Sequence, residues 1–218
     1  MNKTEAIAIL KQHRIAVVIR LSDLSQAQAL SEALLAGGIR ILEFTLTNPD
    51  AYEAIIQLRK HISVFDSGEA LLGIGSIRTA EQARRAIDSG AELLVSPILS
   101  HDMIEAGKSA DVLTAPAGYT PSEIHFAQEA GADLVKVFPA NTLGAEYIKS
   151  VLAPMPELQI MPTGGIDLNN INDYLKAGAI AVGVGSALLN KQHITDQNWQ
   201  AITDTARQYV NAIGVNYA

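Results

Sequence analysis

The chain has 218 residues, of which 48% are hydrophobic and 18% charged, which is ordinary for a folded globular protein and unlike disordered or fibrous chains. Its formal net charge of -7 comes without a long basic run, which disfavours nucleic-acid binding; it has no cysteine, which excludes disulfides, thiolate metal sites and thiol nucleophiles. No stretch approaches the roughly 20 apolar residues that span a membrane, and the N-terminus lacks the apolar region of a signal peptide. We therefore expect a cytoplasmic protein with neither nucleic-acid nor membrane partners.

The predicted elements alternate between strand and helix along the chain. Four segments combine a glycine with a following run of aliphatic residues: AGGIRILEFTL, SGAELLVSPIL, AGADLVKVFPA and AGAIAVGVGSA. A glycine just past a helix can take the left-handed conformation that ends it, and each run is long enough for one strand. This pattern predicts strands near residues 15–20, 41–46, 71–75, 93–98, 111–115, 133–138, 159–162 and 180–185.

Several of the intervening helices have recognisable starts. Thr120-Pro121-Ser122-Glu123 is a capping box with proline at the first helical position, and the segment from Thr79 to Gln82 follows the same logic. Asn48-Pro49 and Ser100 are weaker start signals. Together with the strands, these starts divide the chain into repeated strand–helix units.

Eight strands in strict alternation with helices predict an α/β fold of the (β/α)8 TIM-barrel type. A doubly wound open sheet is the structural alternative, and it normally has a glycine-rich turn after its first strand. Here the first strand is followed by RLSDLSQ, which contains no glycine. Since no linker or shift in composition divides the chain, we expect residues 1–218 to form a single domain.

Lys136 lies inside an apolar strand, where lysine is uncommon. Alternation puts Leu134, Lys136 and Phe138 on one face, and if Val135 and Val137 face the helices, Lys136 points into the barrel. A structural ion pair, or a register that takes the amine to solvent, would also explain the residue. The functional interpretation is that burial disfavours the ammonium form of an amine, which leaves a nucleophile able to form a Schiff base with a carbonyl substrate.

A Schiff-base mechanism also needs a group that moves protons. Glu43 lies amid apolar residues in the second strand, ILEFTL, and shares a face with Thr45 while Leu42 and Phe44 take the other face. A strand glutamate can equally be an ion-pair partner. Because both ionisable residues are predicted on inward strand faces, we interpret Lys136 and Glu43 as the catalytic pair.

Glycine-rich segments follow the seventh and eighth predicted strands. In barrels of this kind these two loops often build a phosphate site from backbone N–H groups and a helix N-terminus. We therefore expect a phosphorylated substrate to be held by Gly164, Gly165, Gly185 and Ser186. Arg20, at the end of the first strand, could hold a carboxylate or phosphate by two contacts, or be an ordinary surface arginine.

The five histidines, at positions 13, 61, 101, 125 and 193, form no close metal-ligand pattern. We therefore expect no metal site and a reaction that uses no cofactor.

Five segments in this order resemble one known family: AGGIRILEFTL, GAELLVSPIL, VKVFPA, MPTGGI and AVGVGSAL. Over nearly its whole length the chain resembles the bacterial 2-keto-3-deoxy-6-phosphogluconate and 4-hydroxy-2-oxoglutarate aldolases, class I enzymes that are small trimeric (β/α)8 barrels. The resemblance implies that Lys136 forms the imine with the ketone and that Glu43 is the general acid/base. It also implies a homotrimer.

The same resemblance assigns the binding residues. It implies that Gly164, Gly165 and Ser186 receive the phosphate, that Thr163 and Pro97 line the pocket, and that Arg20 binds the pyruvyl carboxylate.

Several positions depart from the family pattern. Thr47 replaces a frequent arginine, so that Arg20 would bind the carboxylate without that partner; Ile74 and Ser76 stand where alanine and threonine are usual; and Pro116-Ala117-Gly118-Tyr119 replaces a proline-glycine turn. We expect Thr47 and Ser76 to contact the substrate, and the bulky Ile74 and Tyr119 to lie near the pocket.

The sequence therefore predicts a class I aldolase that cleaves a 2-keto-3-deoxy-6-phospho sugar acid, or 4-hydroxy-2-oxoglutarate, to pyruvate and an aldehyde. Two alternatives stay open from the residues alone. One is a phosphosugar isomerase or epimerase in which Lys136 only stabilises charge. The other is a non-catalytic anion-binding barrel.

Overall fold

The computed structural model describes residues 1–214. Within them the chain alternates between strands and helices as the glycine-punctuated pattern predicts. The helices are α1 Lys3–His13, α2 Ala27–Ala36, α3 Ala51–His61, α4 Ala80–Asp88, α5 His101–Ala110, α6 Pro121–Glu129, α7 Gly144–Leu152, α8 Ile171–Lys176, α9 Lys191–Thr195 and α10 Trp199–Ala212. The strands are β1 Ile15–Ile19, β2 Ile41–Thr45, β3 Leu71–Gly75, β4 Leu93–Val95, β5 Leu113–Ala115, β6 Ala117–Gly118, β7 Val135–Val137, β8 Ile160–Pro162 and β9 Val182–Val184.

All strand pairs are parallel and fall into two sheets. The larger sheet curls through six strands in the order β5-β4-β3-β2-β1-β9, and the smaller has the order β6-β7-β8. An isolated parallel bridge between Thr163 and Gly183 and a 3.0 Å bond from Ile180 N–H to the Ile160 carbonyl connect β8 to β9. The C-terminal ends of neighbouring strands therefore meet at one edge.

The fifth predicted strand, near residues 111–115, is divided in the structure. Pro116 separates β5, which pairs with β4, from β6, which pairs with β7. Proline has no N–H to donate to a ladder, so the pairing breaks there. Its carbonyl still accepts the Lys136 N–H at 2.9 Å, which keeps β7 beside the break.

The buried residues form two clusters on opposite faces of the strands. The outer cluster lies between strands and helices and takes alternate strand positions, including Val17, Leu42, Phe44, Leu72, Ile74, Val135, Val137, Val182 and Val184. The inner cluster takes the intervening positions and packs them against Ala6, Ile9 and Leu10 of α1. Its members in or next to strands are Ala16, Ile41, Leu71, Leu93, Val95, Leu113, Ala115, Leu134, Met161 and Ala181. Helix α1 thus packs on the side chains that the strands point inward near their N-terminal ends.

The predicted helix starts are largely confirmed. Thr120 caps α6 with a complete capping box, and the side chains of Thr79 and Ser100 cap α4 and α5. The signal at Asn48 is different, because α3 begins at Ala51 and the N-cap residue Asp50 makes no side-chain cap. The side chain of Asn48 is used elsewhere, as described for the site.

No helix within residues 1–214 combines the length and apolar character needed to cross a bilayer.

Candidate active site

Lys136 and Glu43 form a buried pair between strands of the two sheets. The Nζ atom of Lys136 lies 3.8 Å from Oε1 of Glu43, and their side chains are 5% and 1% exposed. Two strands that are far apart in sequence therefore place an amine and a carboxylate beside each other, as the inward-facing alternation predicts.

Strand alternation directs both side chains inward. In β7, Val135 and Val137 belong to the outer cluster while Leu134 belongs to the inner one, so Lys136 points to the inner side. In β2, Leu42 and Phe44 lie in the outer cluster on either side of Glu43. The predicted register is therefore confirmed for both residues.

The carboxylate of Glu43 packs over Gly75 in the neighbouring strand β3. A Cβ atom at position 75 would come within 2.7 Å of Cδ and 2.9 Å of Cγ of Glu43, so only glycine leaves room for the side chain. Neither carboxylate oxygen accepts a hydrogen bond from residues 1–214. Because buried carboxylates normally satisfy their oxygens, Glu43 retains the capacity to accept a proton or hydrogen bond from a bound molecule.

Gly75 is a site residue that the sequence reasoning missed. The available signal was the motif GIG at the end of the third strand, where glycine at alternate positions frees space on one face. Recognising whose side chain fills that space requires the pairing of β2 with β3, in which Thr45 is the register partner of Gly75.

Phe138 lies beside the lysine on the same side of the chain. Its ring centroid is 5.3 Å from Nζ of Lys136, within the range of a cation–π contact when the amine is charged. The ring also approaches the loop after β8, since a Cβ atom at Gly164 would lie 3.6 Å from Cδ2 of Phe138. The aromatic ring thus lies close to both the amine and the glycine-rich loop.

The predicted phosphate residues follow β8 and β9, the two strands joined by the Thr163–Gly183 bridge. Gly164 and Gly165 have φ angles of 102° and 69°, which favour glycine, and Gly165 and Ser186 are exposed. No helix begins directly at either loop. Helix α8 starts only at Ile171. Gly185 begins a turn, in which its carbonyl accepts the N–H groups of Leu188 and Leu189. An anion here would therefore meet loop N–H groups instead of the helix N-terminus that the sequence predicts.

Arg20 and Thr47 lie together at the C-terminal ends of β1 and β2. Both line a cavity of about 700 Å³ that also includes Lys191. As far as residues 1–214 go, the cavity lining includes neither Lys136 nor Glu43. Arg20 is related to the Lys136–Glu43 pair through the sheet. It lies two residues beyond Val18, which is the register partner of Glu43, so Arg20 continues the inward face of β1.

The hydroxyl of Thr47 is engaged within the protein. The Thr45 hydroxyl lies 3.3 Å from the Ile19 carbonyl, to which it donates, and 2.8 Å from the Thr47 hydroxyl. A hydroxyl has one proton, so Thr47 is the donor to Thr45. Thr47 therefore offers a substrate an acceptor oxygen rather than the positive charge that an arginine there would supply.

Other predicted lining residues have mixed placements. Pro97 and Ser76 are half-buried just after β4 and β3, and Ser76 has a φ of 65°, uncommon for a non-glycine residue. Thr163 is 5% exposed beside Gly183. The expectation for Ile74 is wrong: its side chain is fully buried in the outer cluster, because alternation points positions 73 and 75, not 74, inward.

Tyr119 contacts the loop after β7. It is 40% exposed, and its hydroxyl lies 3.1 Å from that of Thr142 while its carbonyl accepts from Tyr147 at 2.7 Å. The side chain therefore leans over the segment that follows Phe138 and Pro139. That Tyr119 lies near the substrate pocket stays a prediction.

Among residues 1–214, no group of three or more histidine, aspartate or glutamate side chains is arranged to hold a metal ion.

Comparison with known proteins gives one consistent family. The family model "KDPG and KHG aldolase" matches residues 6–205. The chain is 34% identical to the 2-dehydro-3-deoxy-phosphogluconate aldolase of Haemophilus influenzae over 96% of this chain and 97% of the relative. It is 30% identical to the KHG/KDPG aldolase of Escherichia coli K12 over 95% and 96% of the two chains.

Among solved structures, the chain is similar to the KDPG aldolase of Legionella pneumophila with pyruvate captured at low pH as a covalent carbinolamine intermediate. The two have a TM-score of 0.82 and 31% sequence identity, and the match covers 92% of this chain and 95% of that one.

Proposed function

Because the chain belongs to the KDPG and KHG aldolase family, we propose that it cleaves a 2-keto-3-deoxy-6-phospho sugar acid, or 4-hydroxy-2-oxoglutarate, through a Schiff base on Lys136. The products are pyruvate and an aldehyde, which makes the protein a carbon–carbon lyase. The observation that carries this proposal is the buried pair of Lys136 and Glu43, 3.8 Å apart with a carboxylate that accepts no hydrogen bond from residues 1–214.

In the first stage, Lys136 gives a proton to the carboxylate of Glu43, and the resulting amine attacks the C2 carbonyl of the keto acid. The carbonyl π bond breaks and its oxygen takes a proton, which gives a carbinolamine. Loss of water then forms the iminium, in which the former ketone carbon is bonded to Nζ. Glu43, beside that nitrogen, is placed to give and take the protons of these steps.

In the second stage, the carboxylate of Glu43 removes the proton of the C4 hydroxyl. The O–H electrons form the aldehyde carbonyl, the C3–C4 bond breaks, and its electrons pass to the iminium nitrogen as an enamine. Protonation at C3 and hydrolysis of the resulting iminium release pyruvate and regenerate the amine. The buried position of the pair strengthens the electrostatic interactions that stabilise these intermediates.

The remaining site residues bind the two ends of the substrate in this proposal. Arg20 holds the pyruvyl carboxylate. The phosphate meets the glycine-rich loops, and the pocket between is lined by Thr47, Ser76, Pro97, Thr163, Gly164, Gly165, Gly185 and Ser186. The positive φ angles of Gly164 and Gly165 support this role, because they turn successive peptide N–H groups in a way that anion sites use.

The two sheets are proposed to form one closed (β/α)8 barrel and a single domain over residues 1–218, of which 215–218 lie outside the described residues. Counting β5 and β6 as one strand interrupted at Pro116 gives eight strands. The bond from Leu134 N–H to the Thr114 carbonyl at 3.2 Å and the Thr163–Gly183 bridge support closure at both seams.

A homotrimer is proposed with this function. Ile98 and Phe126 are 49% and 58% exposed, and large apolar side chains of this kind are often covered by another subunit. Light scattering coupled to gel filtration should give about three times the 23.2 kDa chain mass, and a mass of one chain would contradict the trimer.

A cytoplasmic location is proposed from the substrate, since phosphorylated keto acids are too polar to leave the compartment in which they are made.

The mechanism is tested by trapping. Reduction with sodium borohydride in the presence of pyruvate should leave a stable adduct on Lys136, which peptide mass spectrometry would locate. Lys136→Ala should lose both adduct and pyruvate release, whereas Lys149→Ala, at an exposed position on α7, should retain both. If the wild-type enzyme is active but Lys136 stays unmodified after borohydride reduction with pyruvate, the mechanism is wrong.

The substrate is tested by a panel. Pyruvate release should be measured from the phosphogluconate-type, phosphogalactonate-type and hydroxyglutarate-type keto acids. If Ser186 and its neighbouring glycines bind phosphate, Ser186→Ala should raise KM for the phosphorylated acids by roughly tenfold and leave KM for 4-hydroxy-2-oxoglutarate unchanged. Equal effects on both would place the phosphate elsewhere.

A further inference from the structure

Arg20 continues the inward face of β1, but it lies just beyond the part of that strand that is paired, so the loop completes its placement. β1 ends at Ile19, whose register partner is Phe44, so Arg20 is the first residue beyond the paired strand. The residue is exposed, and its guanidinium forms no ion pair within residues 1–214. Where the guanidinium lies therefore depends on what holds the backbone on either side of it.

Two buried polar side chains from the end of β2 hold that backbone. Thr45 donates to the carbonyl of Ile19, on the N-terminal side of Arg20, at 3.3 Å. Asn48 donates from Nδ2 to the carbonyl of Leu21 at 3.4 Å and to that of Ser22 at 3.1 Å, on the C-terminal side. The carbonyls that flank Arg20 are thus held from both directions.

The side chain of Asn48 is committed to this contact. It is 6% exposed, and its remaining polar atom, Oδ1, accepts the N–H of Asp50 at 2.9 Å. Each hydrogen-bonding group of the amide therefore has a partner, which gives the side chain one defined orientation. The same residue thus ties the start of α3 to the loop that carries Arg20.

Apart from Leu24, which packs against the outer cluster, the rest of the loop offers little to hold it. Ser22, Asp23 and Ser25 are exposed, and the polar contacts of Asp23 are local ones, to the N–H of Ser25 at 2.8 Å and to its hydroxyl at 3.0 Å. Asn48 instead bonds across 27 and 26 positions in sequence. The removal of those bonds should release the loop without disturbing β1 or β2.

We propose that Asn48, supported by Thr45, is a positioning residue for the aldolase reaction: it fixes Arg20 where the guanidinium receives the carboxylate of the keto acid. This inference rests on the proposed function. It gives the buried polar side chains at the end of β2 a role in substrate affinity. Asn48 has no direct contact with the reacting atoms and acts through Arg20. A misplacement of a binding group of this kind by about 1 Å can reduce a rate substantially.

The test is Asn48→Asp, which keeps the size of the side chain and the acceptor for Asp50 but puts an oxygen opposite two carbonyls. KM for the keto acid should rise by about tenfold while kcat changes less than about twofold. Trapping on Lys136 with borohydride should need correspondingly more pyruvate. With hydroxyacetone, a ketone that lacks the carboxylate, trapping should be unchanged.

A matched control and a second variant guard against loss of folding. Asn172 also donates from its amide to a backbone carbonyl, that of Ala212 at 3.0 Å, but it joins α8 to α10; Asn172→Asp should leave KM unchanged. If Asn48→Asp does not fold, Asn48→Ser, whose hydroxyl is too short to reach Leu21 or Ser22, takes its place.

A double-mutant cycle decides whether Asn48 acts through Arg20. In an Arg20→Gln background, the substitution at Asn48 should have little further effect on KM. A wild-type KM in both Asn48 variants, or an unchanged effect in the Arg20→Gln background, would overturn the positioning role. Failure of the proposed function would be seen separately, as an absence of the pyruvate adduct in the wild-type protein.

Discussion

At the scale of single residues, the site depends on how closely Glu43 fits its surroundings. Its carboxylate is almost fully buried, lies 3.8 Å from the Lys136 amine and packs on the bare backbone of Gly75. A charge held this way is costly unless it is paired, and the lysine supplies the pairing. The geometry of the pair therefore depends on a residue without a side chain.

Gly75→Ala should displace Glu43, because the added methyl group would overlap the carboxylate of that side chain. We expect a loss of unfolding free energy of about 1–3 kcal/mol and a fall in kcat of at least tenfold. Urea denaturation and pyruvate release would measure the two effects.

The control for that variant is the double substitution. In a Glu43→Ala background the methyl group at position 75 meets no carboxylate, so its cost in unfolding free energy should shrink. An equal cost in both backgrounds would show that the contact between Gly75 and Glu43 is not the cause.

At the scale of elements, helices α4, α5 and α6 begin where a side chain caps them. In α6 the Thr120 hydroxyl accepts the Glu123 N–H at 3.3 Å, and the Glu123 carboxylate accepts the Thr120 N–H at 2.8 Å. The N–H groups of Thr120 and Tyr119 lower the pKa of Glu123 below its usual value. The two partner residues are three positions apart in the sequence. The start of this helix is therefore predictable before any tertiary contact is known.

Thr120→Ala should destabilise the protein by about 0.5–2 kcal/mol, because it removes the oxygen that accepts the Glu123 N–H. Denaturant unfolding measures the change. Ser122→Ala, at an exposed position in the same first turn, is the matched control and should cost less than about 0.5 kcal/mol. Similar losses in the two variants would argue against the cap.

The last turn of α1 carries a titratable group. Burial, together with the nearby charge of Arg40, lowers the pKa of His13 from 6.5 to about 4. As the pH falls, His13 therefore binds a proton near pH 6.5 in the unfolded chain but only near pH 4 in the folded protein. Stability that is fully present above pH 6.5 is lost as the pH falls toward 4.

Between pH 7 and pH 4, the wild type should lose about 3 kcal/mol more unfolding free energy than His13→Gln, which has no proton to bind there. Urea unfolding across this pH range gives the difference, in which the titration of the carboxylates cancels. Parallel pH profiles for the two proteins would contradict the assignment to His13.

At the scale of the whole molecule, the two ends of the strands have different tasks. The N-terminal ends point inward at α1, whose Ala6, Ile9 and Leu10 join the inner cluster. The C-terminal ends carry Arg20, Thr47 and the glycine-rich loops. In the proposed (β/α)8 barrel this arrangement separates stability from activity, since loops at one end can vary while the other end keeps the core packed.

Leu10→Ala should therefore lower the unfolding free energy by about 2–5 kcal/mol, because Leu10 is 1% exposed and its removal leaves a cavity under the strands. KM and kcat at 25 °C should stay within about twofold of the wild type while the protein is folded. Lys11→Ala, an exposed neighbour on the same helix, is the control. A large change in KM for Leu10→Ala would contradict the separation of the two ends.

Features that depend on a local pattern could be predicted from the sequence. Alternation of apolar and polar residues put Lys136 and Glu43 on inward faces, and capping residues marked the starts of α4, α5 and α6. These features need only neighbours within one strand or one turn. The family resemblance, which the match over residues 6–205 confirms, rests on equally short motifs.

Tertiary structure decided the contacts between segments that are distant in the chain. Ile74 was expected at the pocket and lies in the outer cluster, Pro116 divides one predicted strand, and Asn48, which looked like a helix start, holds the loop of Arg20. In each case the outcome depends on which face of a strand turns inward, or on which strand or loop lies alongside the residue. That is set by the packing of the whole molecule, because a buried polar group takes whichever partner the fold brings within reach.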